Sequence, residues 1–508
     1  MKRTNLFTVI LCGIFVIAGL LTTSPSYSRK TKSTSESVIL LITNNNLKSE
    51  WQTFANWKKR IGKPVKIITI EEIESNYKGK NIQEKIRQCC LNFIKNHGTK
   101  WVILGGDSEE EGGIVPHLLT PHKAMGSYLL PTDNYYISET NWNANGNDVY
   151  GEFEGDKGSI SYTNDNACIG RIPVRTKADV RAYTEKVIAY ESKYPENNFA
   201  KNIVYTCNAS SAYPKLSTSC ESLKKTCPNL NLAQYYTEEN EWTKYTKGRI
   251  GLNASIWVDL INKNQIGKIH IHGHGMIDFW VMNDGNNITS EEVDKLTNVN
   301  AYPIITTVSC FTGQFDGKID PCIAESMLRK KDGGAILILC PSRPGIPVFK
   351  NPSKDFGLMM SEGKMDATTI TMTKFWEYGS TNHISTGEVL SKIKKEMSPL
   401  GKTYEGYHFV LCELNLLGDP TLEIRSTNPT KAKLKTTITP KEKGCKIVVN
   451  SSPNATVCIW KTDEIYEVKQ TDDSGIAIFD LKKVKSGSIL LSASGYNYNA
   501  TLGKIEIK

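Results

Sequence analysis

The chain has 508 residues, 39% apolar and 23% charged, which is the composition of a globular protein long enough for about two to four domains with ample cores. Its formal net charge of +9 is mild, and the charges are interspersed, with no basic block interleaved with aromatic residues; this excludes nucleic-acid binding as the expected role. The thirteen cysteines form neither a disulfide framework nor paired CxxC zinc motifs, so most are expected to be small buried apolar side chains.

Taken in chain order, residues 1–28 read as a secretory signal: Lys2 and Arg3, an apolar stretch from Leu6 to Leu21, then small and polar residues with Ser26 and Ser28 placed for cleavage before Arg29. The expectation is an exported protein, secreted or periplasmic. No later segment is long and apolar enough to span a bilayer, so no stable membrane span is expected once the signal is removed. Cys12 lacks the small residues before it that lipidation requires.

From Ser37 onward strands and helices alternate. SVILLIT (Ser37 to Thr43) is a continuous apolar run of the kind buried on both faces, and Trp51, Phe54, Trp57 and Ile61 then recur at helical spacing. PVKIITI (Pro64 to Ile70) and WVILGGD (Trp101 to Asp107) are further strands, with a helix marked by Ile82, Ile86, Cys90 and Phe93 between them. Residues 108–167 are polar and rich in Gly and Asn, which predicts long loops or a small hairpin. CIGRIPV (Cys168 to Val174) resumes the strand pattern and is followed by a helix from Lys177 to about Ser192. A second α/β unit begins at NIVYTC (Asn202 to Cys207) and runs through strands ending near His272 and Ser309 to GAILIL (Gly334 to Leu339), with helices near Asp355 to Met360 and Gly387 to Met397. After Gly418-Asp419-Pro420 the texture changes to six or seven short β-rich runs, the pattern of an immunoglobulin-like β-sandwich. The expected domains are an α/β subdomain over 29–200, a catalytic α/β subdomain over 201–426 and a sandwich over 427–508.

Two segments carry chemistry: IHIHGHG (Ile269 to Gly275) and TTVSCFTGQFD (Thr306 to Asp316). Each follows a strand-like run, and in an open parallel sheet the carboxyl ends of the strands line one crevice, so His274 and Cys310 can be set side by side. A thiol is largely protonated at neutral pH. An adjacent imidazole can take that proton and later return it to a leaving amine. Gly273 and Gly275 let the backbone turn sharply and approach a substrate, and the amides of Gly275 and Cys310 are candidate donors to the oxyanion of a tetrahedral intermediate.

These pieces, together with VSCFTGQFDGKIDPCIAESMLR (Val308 to Arg329), IGRIPVRTKADV (Ile169 to Val180) and LLGDPTLEIR (Leu416 to Arg425), resemble the gingipain family of cysteine endopeptidases, peptidase family C25, relatives of caspases and legumains. The resemblance runs in one order through essentially the whole chain after the signal. It implies a caspase-like three-layer α/β sandwich in two subdomains followed by an all-β immunoglobulin-like sandwich. It also implies peptide or protein substrates, His274 as catalytic base and Cys310 as nucleophile, and no cofactor for catalysis. Where the family carries an acidic residue, this chain has Ser210, so the dyad is expected to act without an orienting carboxylate. Eleven residues on, Glu221 stands where arginine-specific members hold an acid in the primary specificity pocket, so cleavage after basic residues is an expectation attached to Glu221. A tryptophan that walls that pocket in the family is missing from PSRPGIPV (Pro341 to Val348). Oxygen-bearing side chains of the 108–167 insertion and of Asp107 to Glu111 are compatible with a structural calcium ion, though in no EF-hand spacing.

Two other readings remain at this stage. His270, His272 and His274 share one strand face at i, i+2, i+4 spacing and three imidazoles can hold zinc, though Met276 and Ile277 stand where a metallo-β-lactamase pattern would place its Asp and last His. A caspase-like scaffold that has lost activity and serves binding or adhesion is the other.

Overall fold

The computed structural model describes residues 38–108, 113–123, 127–208, 213–236, 250–282, 287–496 and 498–507. The proposed signal over 1–28 and Ser210 lie outside the described residues. Eleven strands form the main sheet: β1 (Ile39–Thr43), β2 (Val65–Thr69), β3 (Trp101–Gly105), β4 (Cys168–Ile172), β5 (Asn202–Cys207), β6 (Asn231–Tyr236), β7 (Ile250–Gly251), β8 (Lys268–His272), β9 (Ile304–Thr307), β10 (Leu337–Pro341) and β11 (Leu414–Gly418). Their order is β2-β1-β3-β4-β11-β10-β9-β8-β5-β6-β7. The runs β2-β1-β3-β4 and β10-β9-β8-β5-β6-β7 pair in parallel, whereas β11 is antiparallel to β10. All residues of β1, β4, β8, β9, β10 and β11 are buried, as expected of strands covered on both faces.

The connecting helices start where the sequence supplies caps. Thr69 with Glu72, Thr176 with Asp179 and Ser385 with Glu388 form reciprocal capping boxes, and Asn81 opens the helix Ile82–His97, which Gly98 closes in the left-handed conformation. The helices pack in two groups. In one, Trp51–Arg60 and Ile323–Arg329 both meet Lys177–Ser192; in the other, Ala367–Thr381 meets Tyr213–Thr226 and Thr386–Gly401. The insertion after β3 contains the expected hairpin, Leu118–His122 with Tyr128–Thr132. No helix among the described residues is long and apolar enough to cross a membrane.

In the α/β region the two expected halves are joined edge to edge in one sheet. β11 lies between β4 and β10, with Leu417 beside Arg171 and Leu416 paired with Leu339, so both halves belong to one sheet. Residues that follow β3 and β4 also reach residues that follow β9: Arg175 pairs with Asp320, and the His117 ring lies 3.8 Å from Asp316.

The C-terminal all-β unit has a five-stranded sheet (Thr430–Lys431, Tyr498–Ile507, Gly487–Gly495, Thr456–Lys461, Ile465–Gln470) and a three-stranded one (Leu434–Lys441, Gly444–Ser451, Ile476–Leu481). Ile447, Val449, Val457, Ile459, Phe479, Ile489 and Leu491 fill its core. It docks on residues that precede strands of the main sheet. Tyr466 donates to the Lys59 carbonyl at 3.0 Å, the Lys59 ammonium sits 4.5 Å from the Trp460 ring centre, and buried Asn499 brackets Tyr194, accepting from its N–H at 3.2 Å and donating to its carbonyl at 3.1 Å. Asn499 also accepts from Arg425 at 2.9 Å. Because Asn499→Ala leaves these buried groups unpaired, it is expected to cost about 1–3 kcal/mol. Its kcat should stay unchanged, since His274 and Cys310 follow the opposite ends of their strands. Thermal melting and peptide hydrolysis on the same preparation check both, and a fall in kcat without a fall in stability would contradict the separation.

Candidate active site

Three neighbouring parallel strands, β10, β9 and β8, end at Pro341, Thr307 and His272, and the turns that follow them touch. After β8, Gly273 has φ +144° and His274 points into solvent-exposed space at the head of a small hairpin, Gly275–Met276 with Phe279–Trp280. That hairpin is anchored by buried Trp280 against Trp257, ring centres 5.9 Å apart. After β9, Val308 donates to the Ile271 carbonyl at 3.2 Å and Ser309 to the Thr307 hydroxyl at 3.0 Å, which carries the chain straight to Cys310. A Cβ added to Gly275 would lie 2.7 Å from a Thr312 methyl and 2.8 Å from the Ser309 Cβ. The two turns are therefore packed against each other, and only glycine allows that approach.

Cys310 is held at a sharp bend. Phe311, the next residue, has φ +59°, a left-handed conformation that is unusual for a bulky side chain. It persists because the surroundings over-determine it: Phe311 N–H donates to the Arg343 carbonyl at 3.0 Å, Gly313 N–H to the Pro341 carbonyl at 2.9 Å and the Thr312 hydroxyl to the Ser309 carbonyl at 2.9 Å. Downstream, Ala324 and Ile323 at the start of the helix Ile323–Arg329 donate to Thr312 and Ile277, tying both turns to one helix.

Burial pushes the Cys310 thiol above its ordinary value; the backbone N–H of Gly345 at the sulfur opposes the rise, and nearby Glu413 adds to it. The resting group is a thiol that needs a base. Of the twelve free cysteines among the described residues, eleven are buried and Cys310 alone is partly exposed. Glu413 is fully buried, and burial holds its carboxyl well above the usual range against the pull of Arg343 and Lys394. Arg343 itself is committed to Asp316 through two bonds of 2.8 and 2.6 Å.

The other histidines of the strand are core residues. The His270 ring contacts the Thr306 hydroxyl at 2.8 Å and the His272 ring at 3.2 Å, and burial pushes His270 down to about 3 and His272 well below its ordinary value. Neutral, buried and bonded to each other, they do not converge with exposed His274 on a common point. The carboxylates that do converge among the described residues are Asp107, Asp320 and Glu325, and the Arg329 guanidinium already lies among them at 3.2, 2.6 and 2.9 Å. Contrary to the expectation of no such spacing in the insertion, Asn141, Asn143, Asn145, Gly146 and Glu152 occupy positions one, three, five, six and twelve of a twelve-residue loop, an EF-hand-like spacing with amides where carboxylates are usual. In this structure Glu152 accepts from the amides of Asn145 and Asn147.

Glu221 is not the buried pocket acid expected of it. Its side chain is 66% exposed on the helix Tyr213–Thr226 and pairs at 2.9 Å with Lys224, one turn away. A solvated carboxylate with a neighbouring ammonium does not select a substrate charge by leaving it unpaired. The residue that sequence reasoning passed over is Asn208, just after β5. It is buried, and its side chain bonds the main chain of His274 on both sides. The signal was present as a polar residue at a strand end, two positions before Ser210.

Comparison with known proteins shows the family and the fold. The family model of peptidase family C25 matches residues 32–425. Gingipain R2 of Porphyromonas gingivalis (strain ATCC 33277) is 23% identical over 297 residues, covering 58% of this chain and 35% of the relative. Gingipain R1 of Porphyromonas gingivalis is 23% identical over 297 residues, covering 58% of this chain and 26% of the relative. The matched segment thus spans about a third or less of these relatives. The crystal structure of the Arg specific cysteine proteinase gingipain R superposes with a TM-score of 0.68 at 17% identity, covering 94% of this chain and 99% of that one. A second solved structure, described simply as a protease, superposes with a TM-score of 0.63 at 15% identity, covering 92% and 97%.

Proposed function

Because the chain belongs to peptidase family C25, we propose that it is an exported cysteine endopeptidase in which His274 and Cys310 form the catalytic dyad. The observation that carries the reading is the partly exposed thiol of Cys310, unlike the other described cysteines, in a strained turn packed on the turn of His274. In the proposed cycle His274 takes the proton from Cys310 as sulfur attacks the scissile carbonyl. The amides of Gly275 and Cys310 receive the oxyanion, and His274 then protonates the leaving amine. Water, deprotonated by the same imidazole, releases the acyl group and restores the thiol. No metal enters these steps.

Iodoacetamide is expected to label one cysteine in the folded protein, Cys310, and to abolish hydrolysis in step with labelling. Because burial favours the neutral thiol, the labelling rate should still be climbing with pH above the ordinary thiol range, where the reactive thiolate accumulates. Mass spectrometry of the labelled peptides checks the site. Full activity after stoichiometric labelling of Cys310 would remove the thiol from the mechanism and favour a binding role.

The solved relative is described as Arg specific. In this chain the acid proposed for that preference, Glu221, lies on solvent beside Lys224, so selection for a basic residue would have to come from another group. Cleavage of matched peptides carrying Arg, Lys, Asn, Asp or Leu before the scissile bond measures it directly.

A further inference from the structure

His274 stands on a turn and its ring is exposed, so something other than core packing must fix where the ring pivots. We propose that Asn208 is the positioning residue of His274, acting by clamping its main chain rather than by bonding its imidazole; this rests on His274 being the catalytic base.

Asn208 is the first residue past β5, 3% exposed, and its own N–H donates to the His272 carbonyl at 3.1 Å. Its side-chain oxygen accepts from the His274 N–H at 2.7 Å, and its side-chain NH2 donates to the His274 carbonyl at 3.0 Å and to the Val281 carbonyl. An N–H on one side and two carbonyls on the other admit one orientation of the carboxamide, with the oxygen toward the N–H. Val281 N–H in turn donates to the His274 carbonyl at 3.2 Å, so the clamp closes the base of the hairpin that presents the imidazole. The same contact explains the glycine before the histidine. A Cβ on Gly273 would lie 1.5 Å from the Asn208 side-chain oxygen, and Gly273 already has φ +144°. Asn208 and Gly273 are one device: the carboxamide occupies the space that a side chain at 273 would need.

A base displaced by about 1 Å loses about a hundredfold in rate. Asn208→Ala is therefore expected to lower kcat about tenfold to a hundredfold, per active site titrated by iodoacetamide labelling of Cys310, with KM nearly unchanged. Asn208→Asp keeps the shape and the acceptor but turns a carboxylate oxygen toward two carbonyls, so it should lose at least as much; it carries the test if the alanine variant does not fold. Gly273→Ala should give a comparable kcat loss, and the double variant Asn208→Ala/Gly273→Ala should lose no more than the worse single variant, because both changes disable one clamp. A merely structural Asn208 would lower melting temperature and the fraction of titratable sites while leaving kcat per titrated site intact, and that result overturns the proposal. So does additivity of the two losses. His274→Ala measured alongside separates the failures: if it retains activity the dyad reading falls, whereas an inactive His274→Ala beside a fully active Asn208→Ala refutes the clamp alone.

Discussion

Replacing Cys310 by alanine is expected to reduce peptide hydrolysis by at least about a thousandfold, because no acyl-enzyme can form without the sulfur and what survives is only the polarisation and binding that the rest of the site provides. His274→Ala should lose about as much, and the double variant no more than either alone, since nucleophile and base act as a unit. Neither change should disturb the fold much. Cys310 is partly exposed and loses only its sulfur to alanine, and His274 is exposed, so each change costs little stability. Steady-state kinetics on the three variants, with melting curves as the control, decide the matter: hydrolysis by folded Cys310→Ala near the wild-type rate would end the dyad reading. Activity that disappears with zinc removal and returns with zinc would favour the histidine-metal alternative, against the burial of His270 and His272.

The largest expected loss of stability comes from Lys58→Met. The Lys58 side chain is fully buried, its ammonium 2.7 Å from Asp419, 2.7 Å from Glu191 and 3.0 Å from the Thr421 hydroxyl. Removing it strands a fully buried carboxylate and a mostly buried one, at a cost of about 3–5 kcal/mol. Burial alone would push Lys58 down, but Asp419 and Glu191 outweigh it and hold its folded value above the ordinary one. The pairing is therefore fully present below the ordinary lysine range and is lost only as pH rises through the raised folded value, so the defect should be seen undiminished at neutral pH. Adding Asp419→Asn to Lys58→Met should recover part of the loss by removing one stranded charge. Urea melts measure this. A Lys58→Met protein within about 1 kcal/mol of wild type would mean that the ion pairs are solvated in solution. The physical role of the Gly418-Asp419-Pro420 turn is thus to lock the first helix among the described residues, Trp51–Arg60, to the strand that joins the two halves of the sheet.

The sequence by itself determined much of the layout. Short continuous apolar runs such as Ile39–Thr43 and Cys168–Ile172 suit strands buried on both faces, and so they appear. The GHG turn and the SCFTG turn were legible because both follow such strands, and glycine in a strand-end turn marks a close approach. Short β-rich runs after Thr427 were legible for the same reason, as was the burial of most cysteines.

Only the tertiary structure decided the rest. Leu414–Gly418 is five residues long and follows a helix directly, so its place between β4 and β10, and with it the joining of the two α/β halves in one sheet, depends on partners far away in the chain. Helical periodicity around Glu221 fixes which residues share its face but not whether that face meets a pocket or water, and it meets water. Alternation along Lys268–His272 puts three histidines on one side without saying that two of them lie in the core and the third beyond the strand end. Asn208 looks like any polar residue after a strand; its side-chain bonds to His274 span 66 positions. Local pattern encodes which segments are strands or helices and which side chains prefer burial. The pairing of remote segments, and so the hydrogen bonds that hold a base in place, is set by packing the whole chain at once.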